Sequence, residues 1–241
     1  MSLALPAQAP ALAAPRPKPS PRRVLASSGV ARRGADLQDW QTETHGETAH
    51  VVCDLADFTQ MESVAAEIAA PFGAPDILVT AAGRNTRQPA DEVSFDGWSA
   101  TLALNLSTPF FLAKALVPAM KSKGWGRIVN FASLQSGRAF PGGIAYGASK
   151  GGVSQLTRAM AEAWSGEGIT VNAVAPGFFP TELTGPVFAD PARVKRNAAQ
   201  TCIGRNGGPG DLIGPLVFFC SEASRYVTGQ VLFVDEGYTA K

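Results

Sequence analysis

The chain has 241 residues, 45% hydrophobic and 17% charged, which suits one large α/β domain or two small ones. A formal net charge of +1 argues against nucleic-acid and acidic-membrane partners, and we see no apolar run near the roughly 18 residues that span a bilayer. Three scattered cysteines, Cys53, Cys202 and Cys220, lack metal-ligand spacing, so we expect reduced thiols, no metal site and a cytoplasmic protein.

Residues 1–23 differ in composition from the rest of the chain. Prolines stand at positions 6, 10, 15, 17, 19 and 21 among alanines, and the first acid is Asp36. Proline at this density opposes both helix and strand, so we predict a disordered tail here and one folded domain over residues 24–241. A basic, acid-poor start also suits an organellar presequence, and a frame-shifted reading of a GC-rich gene would encode a similar stretch.

The start of the domain lacks a clear strand and turn. A dinucleotide-binding α/β domain opens with a strand, a glycine-rich turn and a helix whose N-terminal amides hold the pyrophosphate. The nearest strand candidate, Arg22–Ser28, carries two arginines, and the only glycines in the first fifty residues are Gly29, Gly34 and Gly46. We therefore expect the first strand and its glycine-rich turn to be degenerate or missing.

From His50 onward, apolar runs and amphipathic stretches alternate. The predicted strands are 51–55, 76–80, 128–132, 170–175 and 231–234, and the predicted helices are 61–70, 95–121, 145–165 and 211–220. Such alternation indicates a doubly wound, Rossmann-like parallel sheet with helices on both faces. A long interruption over 177–208, rich in Pro, Gly and Thr, predicts either a mobile loop or a lid.

Tyr146 and Lys150 stand four residues apart in a predicted helix, which places both side chains on one face. An ammonium group near a phenol favours the phenolate, so we expect Lys150 to lower the pKa of Tyr146. Such a tyrosine can exchange a proton with an alcohol or a carbonyl near neutral pH. Taken alone, the pair also fits a surface tyrosine beside a solvated lysine.

Further motifs accompany this pair in a fixed order. Asn105 lies in an apolar helical pattern, a short strand ends at Ser133, and another ends at Pro176 and Gly177, with Thr181 following. In order and spacing the set resembles the short-chain dehydrogenase/reductase family, from Val51 to the C-terminus. The resemblance implies a nicotinamide cofactor, NAD or NADP, a small hydroxy or keto substrate and a homotetramer. The apolar region 212–234 also favours self-association.

The resemblance implies a catalytic role for four residues. Tyr146 would be the general acid in reduction and the base in oxidation, while Lys150 would lower its pKa and bind the nicotinamide ribose. Ser133 would hydrogen-bond the reacting oxygen, and Asn105 would kink its helix and hold a water that relays protons to the lysine. The structural alternatives are a strand-end cap for Ser133 and a buried structural amide for Asn105.

The cofactor would contact several strand ends. By resemblance, Asp54 and Leu55 lie beside the adenine, although Asp54 or Asp57 could instead cap a helix. The small residues Ala82 and Gly83 would let the backbone approach the cofactor closely. The remaining cofactor residues implied by the resemblance, at the nicotinamide ring and its carboxamide, are Pro176, Gly177, Phe179 and Thr181; a plain turn is the alternative for the first two.

The substrate is suggested by local similarity. The stretches 133–138, 161–164, 228–230 and 234–235 resemble gluconate 5-dehydrogenase and related sugar-acid dehydrogenases, with 3-oxoacyl-carrier-protein reductases as the alternative. A catalytically silent relative that binds no cofactor is a third possibility. Arg138 could pair with a substrate carboxylate or stay solvated, and Asp39 favours NAD, whose ribose hydroxyls an acid can bind. Glu236 replaces a family glycine, which puts a positive φ there in question.

Overall fold

A computed structural model describes residues 26–241. Its strands are β1 (Ser27–Ala31), β2 (Thr48–Val52), β3 (Ile77–Thr80), β4 (Gly126–Phe131), β5 (Ile169–Pro176) and β6 (Val231–Val234). Its α-helices are α1 (Gly34–Glu43), α2 (Met61–Ala69), α3 (Phe95–Leu102), α4 (Thr108–Lys123), α5 (Ile144–Trp164), α6 (Gly185–Phe188), α7 (Pro191–Gln200) and α8 (Ile213–Phe219). The disorder predicted for residues 1–23 lies outside the described residues.

All described strand pairs are parallel, so the predicted α/β architecture is confirmed. The two central strands, β4 and β5, are almost completely buried, as expected where helices cover both faces of a parallel sheet. Within residues 26–241 the strands form two groups, β2-β1 and β3-β4-β5-β6. The family fold is therefore present, with its sheet divided between β1 and β3.

The division falls where a doubly wound sheet has its first strand. In the order 3-2-1-4-5-6, the third strand pairs only with the second. Here β2 pairs with β1, and β1 pairs with nothing else among the described residues, so β1 takes the place of a second strand. We expected the first strand to be degenerate or missing, with Arg22–Ser28 as the nearest candidate; the described strand starts at Ser27 and pairs as a second strand does, while residues 22–25 lie outside the described residues. The central place lies between β1 and β3.

One hydrophobic core joins both strand groups. Val51 of β2 and Leu78 of β3 belong to the same cluster, together with apolar residues of α2 and α4. The helical stretch Phe95–Lys123 is long and apolar enough to cross a membrane by length and composition, contrary to our expectation of no such run. Its apolar side packs into this core through Leu112, Leu116 and Val117, which accounts for that composition.

The predicted single helix over 95–121 is interrupted. A turn of π-helix, Ala103–Ser107, separates α3 from α4, and Asn105 lies at its centre. A π-turn inside an α-helix adds a residue and is frequent at functional sites. The predicted helix is thus irregular at Asn105, where the resemblance implies a kink.

The long interruption after β5 contains helices. α6 and α7 lie within it, and the Asp190 side chain caps α7 by accepting hydrogen bonds from the backbone amides of Ala192 and Arg193. At the C-terminus Glu236 has a φ of 58°, so the positive φ survives the loss of glycine. A non-glycine residue in this region is strained by about 1 kcal/mol.

Candidate active site

The carboxyl ends of β3, β4 and β5 meet the first turns of α5. Parallel α/β sheets bind their ligands at this edge, because loops diverge there and helix N-termini point inward. Ser133 follows β4, Gly83 follows β3, and Tyr146 and Lys150 lie in the first two turns of α5. The structure therefore brings the predicted catalytic residues to one end of the sheet.

Tyr146 is half-buried, and its hydroxyl lies beside the Ser133 side chain. Burial raises the pKa of Tyr146, and this outweighs the opposing effects of the Ser133 hydroxyl and of the Arg87 guanidinium. The expected lowering by Lys150 was therefore wrong for the protein without cofactor. The hydroxyl stays protonated at neutral pH, which suits a proton donor.

Lys150 is only 4% exposed, and its ammonium donates a 2.6 Å hydrogen bond to the Phe131 carbonyl at the end of β4. Its Nζ lies 5.7 Å from the centroid of the Tyr146 ring. Burial lowers the pKa of Lys150 to about 8. The lysine is thus held at the strand end, close to the tyrosine ring, and titrates near physiological pH.

This lowered pKa predicts a pH-dependent stability. Below pH 8 Lys150 is protonated in both states, whereas between about 8 and 10.5 the unfolded chain binds more protons, so stability rises with pH. Relative to Lys150→Met, the free energy of unfolding should increase by roughly 3 kcal/mol from about pH 7 to about pH 10.5. Urea unfolding of both proteins across this range measures the difference, and parallel pH profiles would rule out the assignment.

Asn105 is fully buried and all its polar atoms are engaged. Its Oδ1 accepts from the Arg84 amide at 2.8 Å, and its Nδ2 donates to the Arg84 carbonyl and to Ser149 Oγ. A Cβ on Gly83 would lie 3.3 Å from this Oδ1 and 3.8 Å from Lys150 Nζ. The Asn105 side chain therefore acts as a structural clamp on the loop after β3, and the small residue at 83 keeps that loop close to the lysine.

Ala82 and Gly83, the two small residues predicted to lie against the cofactor, are in the loop after β3. Both are exposed and belong to no helix or strand. The Asn105 side chain holds the backbone of the next residue, Arg84, by two hydrogen bonds. These bonds fix the C-terminal end of this short stretch. The backbone at Ala82 is thus open to a ligand, as the prediction requires, and its contact with a cofactor stays a prediction.

Arg87 is a site residue that our reading of the sequence missed. It lies on the loop after β3 with a φ of 52°, and its guanidinium donates to the Leu183 carbonyl at 2.8 Å. Its charge acts on Tyr146 and favours the phenolate. The sequence offered no signal for Arg87, because an arginine in a polar loop is usually solvated. The direction of its side chain depends on the positive φ of this residue.

The residues predicted beside the adenine have structural partners. Leu55 is buried in the core, and its carbonyl accepts a hydrogen bond from Thr108 Oγ1. Asp54 is exposed and accepts from the Ala56 amide, whereas Asp57 caps the short helix Phe58–Gln60. The capping alternative thus holds for Asp57, and only the exposed carboxylate of Asp54 stays available to a ligand.

The predicted nicotinamide-side residues line the end of β5. Pro176 closes this strand, and a Cβ on Gly177 would come within 2.9 Å of the Asp235 backbone, so packing against β6 by itself requires glycine there. Phe179 is buried. Thr181 is exposed and forms a capping box with Thr184. The structure positions these residues without testing their contact with a cofactor.

Two other interpretations change with the structure. Asp39 lies in the middle of α1 rather than at a strand end, so our use of it as an indicator of NAD was wrong. Arg138 is not simply solvated: its guanidinium donates to the Lys241 backbone oxygen at 2.7 Å and lies over the Tyr238 ring. Within residues 26–241 no group of three or more His, Cys, Asp or Glu residues is placed to hold a metal ion.

The site fits one half of a dinucleotide better than the other. Gly83 and the buried Lys150 ammonium lie close together at the carboxyl ends of β3 and β4, where the resemblance implies the nicotinamide half of the cofactor. The pyrophosphate end needs a glycine-rich turn leading into a helix, and residues 26–241 provide none between β1 and β3. The catalytic half therefore suits NAD(P), whereas the described residues do not supply the phosphate cradle.

Residues 23–239 match a family model described as "Enoyl-(Acyl carrier protein) reductase". The chain belongs to the short-chain dehydrogenase/reductase family, whose members are NAD(P)-dependent oxidoreductases. It is 36% identical to the gluconate 5-dehydrogenase of Gluconobacter oxydans over 88% of each chain. It is 37% identical to the D-threitol dehydrogenase of Mycolicibacterium smegmatis over 78% of this chain and 72% of that relative.

Comparison with a solved structure also identifies this family. The gluconate 5-dehydrogenase from Burkholderia cenocepacia, crystallised in complex with NADP and tartrate, superposes with a TM-score of 0.83 at 36% identity. The match covers 89% of this chain and 85% of the other. The predicted family and its Rossmann-like fold are thus confirmed, as is a cofactor of the NAD(P) type.

Proposed function

We propose that this protein interconverts a secondary alcohol and a ketone on a sugar acid such as gluconate, with Tyr146 as the proton-transferring residue. The observation that carries the proposal is the meeting of Tyr146, Ser133 and Arg87 at one end of the sheet. The similarity to gluconate 5-dehydrogenases supports the substrate class. Consistent with the family's solubility, we propose a cytoplasmic location.

The residues divide the chemistry among them. When bound, NAD(P) supplies or accepts the hydride. In reduction the Tyr146 hydroxyl donates its proton to the carbonyl oxygen, and in oxidation the phenolate removes the alcohol proton. The Ser133 hydroxyl holds that oxygen, and the Lys150 ammonium stabilises negative charge near the phenolate. Asn105 acts as a positioning residue, because its amide fixes the loop that carries Gly83.

The positive charge of Arg87 favours substrates that carry a carboxylate. Its guanidinium faces the cleft from the loop after β3, close enough to act on the Tyr146 hydroxyl. A guanidinium binds a carboxylate through two parallel hydrogen bonds, which fixes the orientation of the substrate. A neutral polyol such as threitol gains nothing from this charge.

Arg87→Gln should therefore raise KM for gluconate by about ten- to hundredfold, the size of a lost charge-assisted hydrogen bond, and leave KM for D-threitol nearly unchanged. Assays at millimolar NADP keep weak cofactor binding from hiding the effect. Arg84→Gln, the same change on the same loop, is the control and should leave both values unaltered. Equal losses for acid and polyol would refute a carboxylate contact, and turnover of only a 3-oxoacyl thioester would favour the carrier-protein alternative.

The end of β1 favours NADP over NAD. An acid at this place binds the ribose hydroxyls of NAD, whereas an arginine accommodates the 2′-phosphate of NADP. Here β1 is followed by Arg32 and Arg33. Arg33 pairs with the carboxylates of Asp36 and Glu182, which a 2′-phosphate would have to displace.

We also propose a homo-oligomer. α8 and the edge strand β6 expose four large apolar side chains, Ile213, Val217, Phe218 and Leu232. A face of this kind on a soluble protein marks an interaction surface. The family resemblance favours a tetramer.

Light scattering should give the mass of four chains for the unmodified protein. Val217→Lys places a charge on a side chain that is 60% exposed, so it should lower the mass without unfolding the chain. Tyr226→Lys, at a fully exposed position outside this face, is the matched control. A monodisperse monomer for the unmodified protein would contradict the proposal.

A further inference from the structure

Glu236 occupies a position that is unfavourable for a glutamate in two ways. Its backbone has a φ of 58°, in the left-handed region where a side chain strains the chain. Its side chain is only 9% exposed, and its Oε1 atom accepts no hydrogen bond from residues 26–241. A strained backbone and a buried carboxylate both cost stability, so the rest of the fold holds this residue against its local preference.

The cation beside this carboxylate already has a better partner. Arg205 Nη1 lies 2.5 Å from Glu236 Oε1, but without the alignment of a hydrogen bond. The same guanidinium donates two hydrogen bonds to the Asp211 carboxylate, at 2.7 and 3.0 Å. These bonds and the Gly208 amide lower the pKa of Asp211 to about 2, whereas burial raises the pKa of Glu236. The attraction of Arg205 therefore does not offset the burial of Glu236.

Glu236 lies where the C-terminal residues hold the end of the long segment that follows β5. Its carbonyl accepts a hydrogen bond from the Cys202 amide at 2.8 Å. Close by, Lys241 Nζ donates to the Thr201 carbonyl at 2.8 Å. Residues 201–208 are thus attached to the C-terminal residues beside the strained glutamate.

Residues 201–208 also pack against a predicted cofactor residue. The Gly207 amide donates to the Phe178 carbonyl at 3.0 Å, and a Cβ on Gly207 would come within 2.5 Å of the Phe179 ring. Because this contact is so close, the segment 201–208 cannot move without changing the surroundings of Phe179. The resemblance places Phe179 at the nicotinamide carboxamide, so a change in the attachment of this segment acts on that end of the site.

We propose that Glu236 is a positioning residue that loosens the attachment of the segment 201–208 to the C-terminal residues. With the carboxylate ionised, the backbone strain and the buried charge both favour detachment of the segment. Detachment opens the site for substrate entry and product release, a consequence that rests on the proposed function. Segments that move in this way belong to the less stable parts of a fold. Glycine, the family residue at 236, would bring neither strain nor charge.

The attachment of this segment should depend on pH. The titratable groups on the elements packed around Glu236 are Arg205, Cys202, Asp211, Asp235 and Lys241. Burial raises the pKa of Glu236 above its ordinary 4.5 when the segment is attached, so the attached state binds more protons than the detached one. Attachment is therefore strongest below pH 4.5 and weakens as the pH rises through the raised pKa.

Hydrogen–deuterium exchange of the full chain without cofactor tests the proposal. Glu236→Gln removes the charge and keeps the strain, so at about pH 7 it should slow the exchange of the amides of residues 201–208 at least about threefold. Glu236→Gly removes both the charge and the strain and should slow this exchange at least about fivefold. Glu167→Gln, which breaks a surface ion pair with Lys121, is the matched control and should leave residues 201–208 unchanged.

Two results would overturn the proposal. Faster exchange in Glu236→Gln would mean that the carboxylate holds the segment through Arg205. A difference between Glu236→Gln and the unmodified protein that persists at about pH 4, where the glutamate is protonated, would mean that its charge is not the cause.

Steady-state kinetics at millimolar NADP are a separate readout. Because tighter attachment slows opening, both Glu236 variants should lower kcat and KM together, by about two- to fivefold. Slower exchange with unchanged kinetics would overturn the role in substrate entry and product release. Absence of turnover in the unmodified protein would instead count against the proposed function and leave the exchange result standing.

Discussion

Tyr146→Phe is expected to reduce turnover by a hundredfold or more, because it removes the hydroxyl that we propose exchanges a proton with the substrate. The ring keeps its packing, and the contact of the hydroxyl with the Ser133 side chain is what is lost. The change should therefore lower the free energy of unfolding by only about 1 kcal/mol. Steady-state kinetics at millimolar NADP and urea unfolding measure the two effects.

Tyr226→Phe is the matched control for this prediction. It makes the same change at a fully exposed position and should leave turnover and stability unaltered. Turnover of Tyr146→Phe within a few-fold of the unmodified protein would remove Tyr146 from the mechanism. A large loss of stability together with the loss of turnover would mean that the phenol has a structural role.

The second large effect concerns the gap in the sheet. Replacing residues 1–26 with an apolar strand, a Gly-x-x-x-Gly-x-Gly turn and an amphipathic helix should raise the affinity for NADP at least a hundredfold. The turn would return several backbone hydrogen bonds to a charged group, each stabilising by about 1.5–3 kcal/mol. A strand between β1 and β3 would also pair the inner edges of both, which have no strand partner among residues 26–241, so Tm should rise. The same segment with its glycines changed to valine should stabilise the fold without restoring cofactor binding.

Much of the fold was predictable because its signals are local. From His50 onward, apolar runs of strand length alternate with amphipathic stretches, and a parallel sheet is the usual way to bury both. The Tyr146 and Lys150 pair was equally predictable, because residues four apart lie on the same face of a helix. β1 was misplaced because Ser27–Ala31 has few apolar residues, so only its pairing with β2 identifies it.

The electrostatics of the site could not be predicted from spacing. Lys150 was expected to lower the pKa of Tyr146, whereas burial dominates and raises it. Burial depends on how α5 packs against β4 and β5, which no local pattern encodes. Arg87 was missed for a related reason, because the direction of its side chain toward Tyr146 depends on the positive φ of Arg87 itself.

Residues 26–241 bring the proposed catalytic side chains together but supply no glycine-rich turn for the pyrophosphate of a dinucleotide. Calorimetric titration of the unmodified chain with NADP and NAD tests it most directly. The account predicts a Kd above about 100 μM for both, because the amides that would bind the pyrophosphate are absent from residues 26–241. A Kd of about 10 μM or lower would contradict it and show that the chain holds the pyrophosphate without a glycine-rich turn.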